Sequence, residues 1–243
     1  MKAAIWSVLI LLALTGVIAG VARFVEPARL GESSIPLRRT ILQSIGRFDA
    51  RQAAREPVLR TFDRPFAAHP TLARLHVGPG ALFLVAALLQ FSGTMRRRYP
   101  KLHRWSGRVL LLLSVSIAAS ALFFTLTTPF GGASESVVIV IATALFVVSM
   151  TRAYLAIRRG DVERHREWMI RGCAVAFGIA SIRIVGSAID AILGPSDFTE
   201  ATLFVAALWL GWIVTCGTAE WWIRKTRGKR VPARVTVELE PSS

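Results

Sequence analysis

Charged residues and cysteines are scarce in this sequence. Only 19% of its 243 residues are charged, whereas soluble domains have roughly 25%. A disulfide scaffold is excluded because the chain has only two cysteines, Cys173 and Cys216, which form no CxxC pair. The chain also lacks the P-loop, GxSxG, HExxH and GxGxxG motifs. Nothing therefore supports an ATPase, a hydrolase, a zinc protease or a dinucleotide-binding enzyme.

Long apolar runs dominate what is present, and 53% of the residues are hydrophobic. Six runs reach the length of about 20 residues that a helix needs to cross a bilayer: residues 3–22, 75–95, 105–126, 136–157, 168–190 and 201–223. Backbone polar groups in lipid must be satisfied within the fold, and no run alternates in polarity as a barrel strand does. We therefore predict an all-α polytopic membrane bundle of about six transmembrane helices.

The chain divides into four predicted parts. They are a first transmembrane helix (1–23), an Arg-rich extracytoplasmic loop (24–74), a five-helix membrane bundle (75–223) and a basic tail (224–243). The first run resembles a signal peptide but is long for one, so we favour an uncleaved helix or signal anchor. Apolar residues at helical spacing predict an amphipathic helix over 36–56, which either lies on the outer leaflet or caps the bundle.

Positive charge is concentrated between the apolar runs. The net charge of +15 would suggest nucleic-acid binding in a soluble protein. Here the basic residues cluster in loops 96–108 and 158–171 and in the tail, while the loops at 127–135 and 194–200 have no Lys or Arg. By the positive-inside rule both termini are cytoplasmic. We predict a multipass protein of the bacterial inner membrane, with the lipid bilayer as partner and no nucleic acid.

Two histidines mark a candidate cofactor site. His103 and His165 open the third and fifth runs from the same side of the membrane. Haem b in a helix bundle takes two neutral imidazoles from different helices and basic groups for its propionates. We therefore consider both histidines as ligands of a haem iron, with three nearby basic residues as propionate partners: Arg104, Arg108 and Arg171. The alternative is that both imidazoles only make interfacial hydrogen bonds.

A second polar set lies within the apolar runs. Arg183 is well inside the fifth run, where an arginine costs about 2.5–3.5 kcal/mol on insertion scales, and Ser187 and Asp190 share its helical face. His76 and Gln90 share one face of the second predicted helix. The set indicates an anion or small-molecule site, unless Arg183 simply pairs with Asp190 or another helix. Gln90 stands where a two-haem protein has a second histidine, which favours one haem or none.

Four motifs together resemble a known family. They are His76-Val77-Gly78-Pro79-Gly80 leading to Gln90-Phe91, the HRWSGR run from His103, the HREWMIR run from His165, and Arg183. In these elements the chain resembles a family of bacterial and fungal multipass proteins of unknown function, the "predicted membrane protein" domain of unknown function family 2306. The resemblance covers about residues 72–190. It implies a helical bundle with these motifs at the ends of spans, and it implies no particular activity.

Three functions remain open from the sequence. The first is a haem-b-binding electron-transfer protein or redox-complex subunit, with quinone or other subunits as partners. The second is a structural or assembly subunit, whose polar residues lock helices together. The third is a small-molecule or anion transporter with a site around His76 and Arg183. Whether the chain is an enzyme stays open.

Overall fold

A computed structural model describes residues 2–25, 43–44, 46, 61–193 and 199–227 of the chain. The helices of this part are α1 (Lys2–Val25), α2 (Pro70–Phe91), α3 (Gly93–Arg98), α4 (Pro100–Thr127), α5 (Gly132–Arg158), α6 (Val162–Leu193) and α7 (Glu200–Thr226). Residues 61–68 form a further short helix. No strand occurs within these described ranges.

Six of the described helices are long and apolar enough to cross a membrane, namely all of the labelled helices except α3. This confirms the predicted all-α bundle of six spans. Most of the predicted amphipathic helix over 36–56 lies outside the described residues, as does the tail beyond residue 227. Helix α3 was not predicted, because its six residues are too few to give a periodic apolar pattern.

The helix ends explain why the real helices are longer than the apolar runs. Pro70 and Pro100 lie in the first turns of α2 and α4, where a proline costs no hydrogen bond. The Asp161 carboxylate accepts a hydrogen bond at 2.9 Å from the backbone nitrogen of Arg164 and so caps α6. Gly160, between α5 and α6, has a φ of 76°, a conformation that favours glycine. A hydropathy profile does not identify these polar first turns as part of the helices.

Five spans form a closed ring. Each of α1, α2, α4, α5 and α6 packs against the next in that order, and α6 closes the ring against α1. Helix α7 lies outside the ring against α6 and, less extensively, α5. Large side chains fill the interior, among them Phe83, Leu110 and Phe177. The rings of Phe83 and Phe146 meet edge to face at 5.4 Å. This apolar centre separates two polar ends.

Small residues bring α7 close to α6. A Cβ atom at Gly178 would lie 2.1 Å from Cδ1 of Trp212, and one at Gly211 would lie 3.3 Å from the carbonyl oxygen of Gly178. The Trp212 indole also donates a hydrogen bond at 2.8 Å to the Val175 carbonyl oxygen. Close contact between small residues is a usual way for membrane helices to associate. It places the last turns of α7 beside the start of α6.

Candidate functional site

The described residues of the two candidate sites lie at two opposite ends of the bundle. We call the end formed by the starts of α4 and α6 the His103 end, and the end formed by the start of α2 the His76 end. The last turns of α2, α5 and α7 also reach the His103 end, while the last turn of α1 reaches the His76 end.

His165, in the first turns of α6, is held by α5. Its Nδ1 atom lies 2.8 Å from the backbone carbonyl oxygen of Ala153. A carbonyl oxygen can only accept, so the neutral imidazole carries its proton on Nδ1 and donates it there. The lone pair of Nε2 is then available to an acid or to a metal, which is the arrangement that metal-binding histidines usually have.

His103, in the first turns of α4, lies near His165. The two imidazoles are close enough to influence each other electrostatically, and Arg96 and Arg104 act on His103 in the same way. The Nδ1 atom of His103 is buried and has no hydrogen-bond partner among the described residues. A buried polar atom without a partner costs about 1–3 kcal/mol. The structure thus places two histidines from different helices at the same end of the bundle, and one of them has an unsatisfied nitrogen.

Gln90 supports the turn that carries His103. The Gln90 side chain is buried, and its Nε2 donates to Ser106 Oγ at 2.6 Å and to the His103 carbonyl oxygen at 3.1 Å. The sequence grouped Gln90 with His76 because they share a face of α2. About four helical turns separate them, roughly 21 Å at 1.5 Å per residue. Gln90 therefore belongs to the His103 end, and the structure does not bring it near His76.

The three arginines expected near the histidines differ in their surroundings. Arg104 and Arg108 are exposed. Arg171 instead makes a two-point ion pair with Glu220 of α7, in which its Nε and one terminal nitrogen lie 2.5 and 3.1 Å from the two carboxylate oxygens. Arg171 also lies 3.8 Å from the Glu167 carboxylate. It already has carboxylate partners, whereas Arg104 and Arg108 remain accessible.

Further polar contacts join the first turns of α6 to the last turn of α7. The Glu167 carboxylate is buried and accepts two hydrogen bonds from Arg227, at 2.8 and 3.0 Å. These bonds raise the pKa of Arg227. Arg166 donates to the Thr226 hydroxyl. The sequence analysis did not predict these ion pairs of Glu167, Glu220 and Arg227. Glu220 could have indicated one, because an acidic residue within an apolar run needs a partner.

At the opposite end, His76 forms a hydrogen bond across to α4. Its Nδ1 lies 2.9 Å from Ser120 Oγ, and the Ser120 hydroxyl donates to the Ser116 carbonyl oxygen at 2.6 Å. Because a hydroxyl has only one proton to give, Ser120 accepts from His76 Nδ1–H. The His76 and Phe124 rings also pack at right angles, with centroids 6.3 Å apart. His76 is therefore a satisfied, packed histidine.

Arg183 lies near an ion pair that the sequence did not reveal. Asp63, in the 61–68 helix, is 3% exposed and pairs with Arg23 at the end of α1. The Arg23 guanidinium stacks on the ring of Phe66 at 4.7 Å. Arg183 interacts electrostatically with both Arg23 and Asp63. No periodic signal marked Asp63, because it lies in a short segment between predicted elements.

The rest of the second polar set is more dispersed. Ser187 is exposed, and the side chain of Asp190 lies outside the described residues. The expected pairing of Arg183 with Asp190 therefore stays a prediction. Within the part of the chain that the structure covers, no three His, Cys, Asp or Glu side chains converge on a point that could hold a metal ion.

The geometry defines a polytopic α-helical membrane protein with an apolar centre and two polar ends, one of which contains both His103 and His165. A family model described as "Predicted membrane protein (DUF2306)" matches residues 73–223. The chain belongs to this family, as the motifs had indicated. The matched region contains His76, His103, His165 and Arg183 but not Arg23 or Asp63. No curated protein and no solved structure matches the chain.

Proposed function

We propose that this protein binds one haem b at the His103 end, with His103 and His165 as axial ligands, and that it serves in membrane electron transfer as a carrier or as a subunit of a redox complex. The observation that carries the proposal is that two histidines on different helices, in the first turns of α4 and α6, lie at one end of the bundle and within electrostatic range of each other. Two imidazoles from separate helices are the ligand set that a bis-histidine haem requires.

The hydrogen bonds around the pair support a ligand role. The Ala153 carbonyl oxygen holds Nδ1 of His165, so that Nε2 is the nitrogen left for a ligand, and Gln90 anchors the turn of His103. Such outer-shell bonds orient metal ligands and increase their basicity. Haem would supply reversible one-electron chemistry, which no amino-acid side chain in this cluster supplies. The protein's own part would be to hold the ring, set its polarity and limit access of water.

Charge at the same end supports binding of an anionic cofactor. Arg104 is exposed and interacts with His103, and Arg108 is exposed one turn further along α4. Both are suited to haem propionates, since guanidinium groups bind carboxylates well. Arg171 would act indirectly, through its ion pair with Glu220. Under the positive-inside rule this end faces the cytoplasm of a bacterial inner membrane, where quinone or other subunits would exchange electrons with the haem.

The test is a reduced-minus-oxidised visible spectrum of the detergent-purified chain from a haem-replete host. We expect sharp α and Soret bands at about one haem per chain, and their loss in both His103→Ala and His165→Ala. His69→Ala is the matched control, because His69 is exposed and only packs against the Phe123 ring. A flat spectrum, even after reconstitution with hemin, would exclude the proposal. Unchanged bands in both variants would exclude these ligands.

A structural or assembly role is the second candidate, and the contacts between α6 and α7 favour it. Arg171 forms ion pairs with Glu167 and Glu220, and Arg227 forms one with Glu167. These pairs hold α6 and α7 together without any ligand. In this case the purified chain is colourless and co-purifies with other membrane subunits, and loss of the Arg171–Glu220 pair releases those subunits. Retention of all partners in the Arg171→Gln variant would count against it.

Anion transport is the third candidate, and it depends on the His76 end. The cluster of Arg23, Asp63 and Arg183 contains two guanidinium groups for one carboxylate. The remaining positive charge suits a small anion crossing the membrane. Uptake of a labelled anion into proteoliposomes that falls in Arg183→Leu would support this function. Equal uptake by the wild type, the variant and empty liposomes would exclude it.

A further inference from the structure

The His76 end also carries a small groove. It lies between the end of α1, the 61–68 helix and the start of α2. Its basic lining residues are Arg23 and Arg74, and its apolar walls include Phe24, Phe66 and Val77. A basic site next to apolar walls complements a lipid, which has a charged headgroup and apolar acyl chains. The groove is separated from the histidine pair by the apolar centre, so it does not depend on the haem proposal.

The charges around this groove are not balanced among the described residues. Arg23 is paired with Asp63, which has no second carboxylate beside it in this part of the chain. Arg74 is exposed and makes no ion pair or hydrogen bond with the described residues. Arg183 adds a third guanidinium near the Arg23–Asp63 pair. Of the two arginines that line the groove, Arg23 has a carboxylate partner and Arg74 has none among the described residues, so positive charge remains there, where uncompensated charge is costly.

The depth of the groove fits the phosphate level of a membrane. The candidate span of α1 ends at Phe24, and that of α2 begins at Pro70. The polar headgroup region begins where the apolar part of each span stops, so Arg23 and Arg74 lie at that boundary. Phe24 and Val77 lie on the side of the hydrocarbon. A phosphate bound by the arginines would leave its acyl chains in contact with these apolar residues.

We propose that this groove binds an anionic phospholipid, with its phosphate held between Arg74 and Arg23 and an acyl chain along Phe24 and Val77. A headgroup with net negative charge is favoured over a zwitterionic one, because the choline cation of phosphatidylcholine would add to the local positive charge. Under the predicted topology the bound lipid belongs to the outer leaflet.

The test is a titration of the full-length chain in neutral detergent, with binding followed by the melting temperature and by native mass spectrometry. Phosphatidylglycerol should raise the melting temperature and give a one-lipid adduct, since a ligand that binds only the folded state stabilises it. Phosphatidylcholine at the same concentration should do so much less. Arg74→Gln should weaken the affinity for phosphatidylglycerol about tenfold, the loss expected for charge-assisted hydrogen bonds.

Arg64→Gln is the matched control. Arg64 is another exposed arginine of the same region and does not line the groove, so its variant should bind phosphatidylglycerol as the wild type does. Equal stabilisation by phosphatidylcholine would overturn the proposal, and so would unchanged affinity in Arg74→Gln. Equal stabilisation by inorganic phosphate alone would assign the site to free phosphate and not to a lipid. The haem spectrum of each variant reports separately on the His103 end.

Discussion

The Nδ1 atom of His165 in α6 lies 2.8 Å from the backbone carbonyl oxygen of Ala153 in α5. This contact fixes both the orientation and the tautomer of the imidazole, because the acceptor cannot donate a proton. It is made by a backbone atom, so the side chain at position 153 does not affect its chemistry.

The first prediction concerns the coordination of the iron. Ferric protein reconstituted with hemin should be six-coordinate and low-spin, because two imidazoles are strong axial ligands. His103→Ala and His165→Ala should each lose the haem or give a five-coordinate, high-spin spectrum. Electron paramagnetic resonance distinguishes these states. A low-spin signal that persists in both single variants would mean that other residues bind the iron, and His69→Ala should match the wild type.

The second prediction concerns Gln90. Gln90→Leu removes the donor to the His103 carbonyl oxygen and to Ser106, and it should lower the free energy of unfolding by about 1–2 kcal/mol. Ser106→Ala should cost less, because it removes only one of the two acceptors and leaves the bond to His103. Denaturant titration in mild detergent measures both. Equal stabilities of Gln90→Leu and the wild type would show that Gln90 does not hold this turn.

The third prediction concerns the packing of α7 on α6. Gly178→Ala would place a Cβ atom 2.1 Å from Trp212 and should destabilise the protein by about 1–3 kcal/mol through overpacking. Gly217→Ala is the control, since a Cβ atom there meets nothing within 4 Å. It should leave stability unchanged or increase it by up to about 1 kcal/mol through helix propensity. Similar melting temperatures for the two variants would contradict the close contact.

The fourth prediction concerns the Arg171–Glu220 pair. A double-mutant cycle with Arg171→Gln and Glu220→Gln should give a coupling of about 1 kcal/mol, because the pair is two-pointed and partly shielded. The same cycle on Arg164 and Asp161 is the comparison. That pair is more exposed, with an Arg164 side chain 75% accessible, and should give a coupling near zero. The reverse order of couplings would be evidence against a role for Arg171 in holding α7.

The fifth prediction tests the orientation in the membrane. Thr128 and Arg159 are exposed residues just beyond α4 and α5, at opposite ends of the bundle. In a background without native cysteines, a membrane-impermeant maleimide applied to whole cells should label Thr128→Cys and not Arg159→Cys. Lysis should make both reactive. The opposite pattern would invert the topology inferred from the basic loops.

Much of this architecture follows from one-dimensional patterns. Six apolar runs of bilayer length predicted six helices, because the requirement to satisfy backbone hydrogen bonds in lipid permits few alternatives. The motif residues His76, His103 and His165 were recognised by type and by position at the ends of runs. Hydropathy does not identify the polar turns before those runs as helical. The predicted span therefore began at Trp105, whereas α4 begins at Pro100.

The site was only partly predictable. Sequence placed His103 and His165 on one side of the membrane, but it grouped Gln90 with His76 on the basis of a shared helical face. It did not identify Asp63, Glu220 or Arg227 as partners. Each of these residues depends on a helix distant in the chain, and helical periodicity contains no information about which helix lies beside which.

The sequence by itself therefore determined the class of protein, the number of spans and the residue types available for chemistry. These depend on hydropathy and length, which are local properties of the chain. Only the tertiary structure decided that His165 meets the Ala153 carbonyl, that His103 lies within electrostatic range of His165, and that Arg23 pairs with Asp63. Such contacts depend on which helices are neighbours in the ring of five spans. Close packing of side chains between helices decides which helices become neighbours.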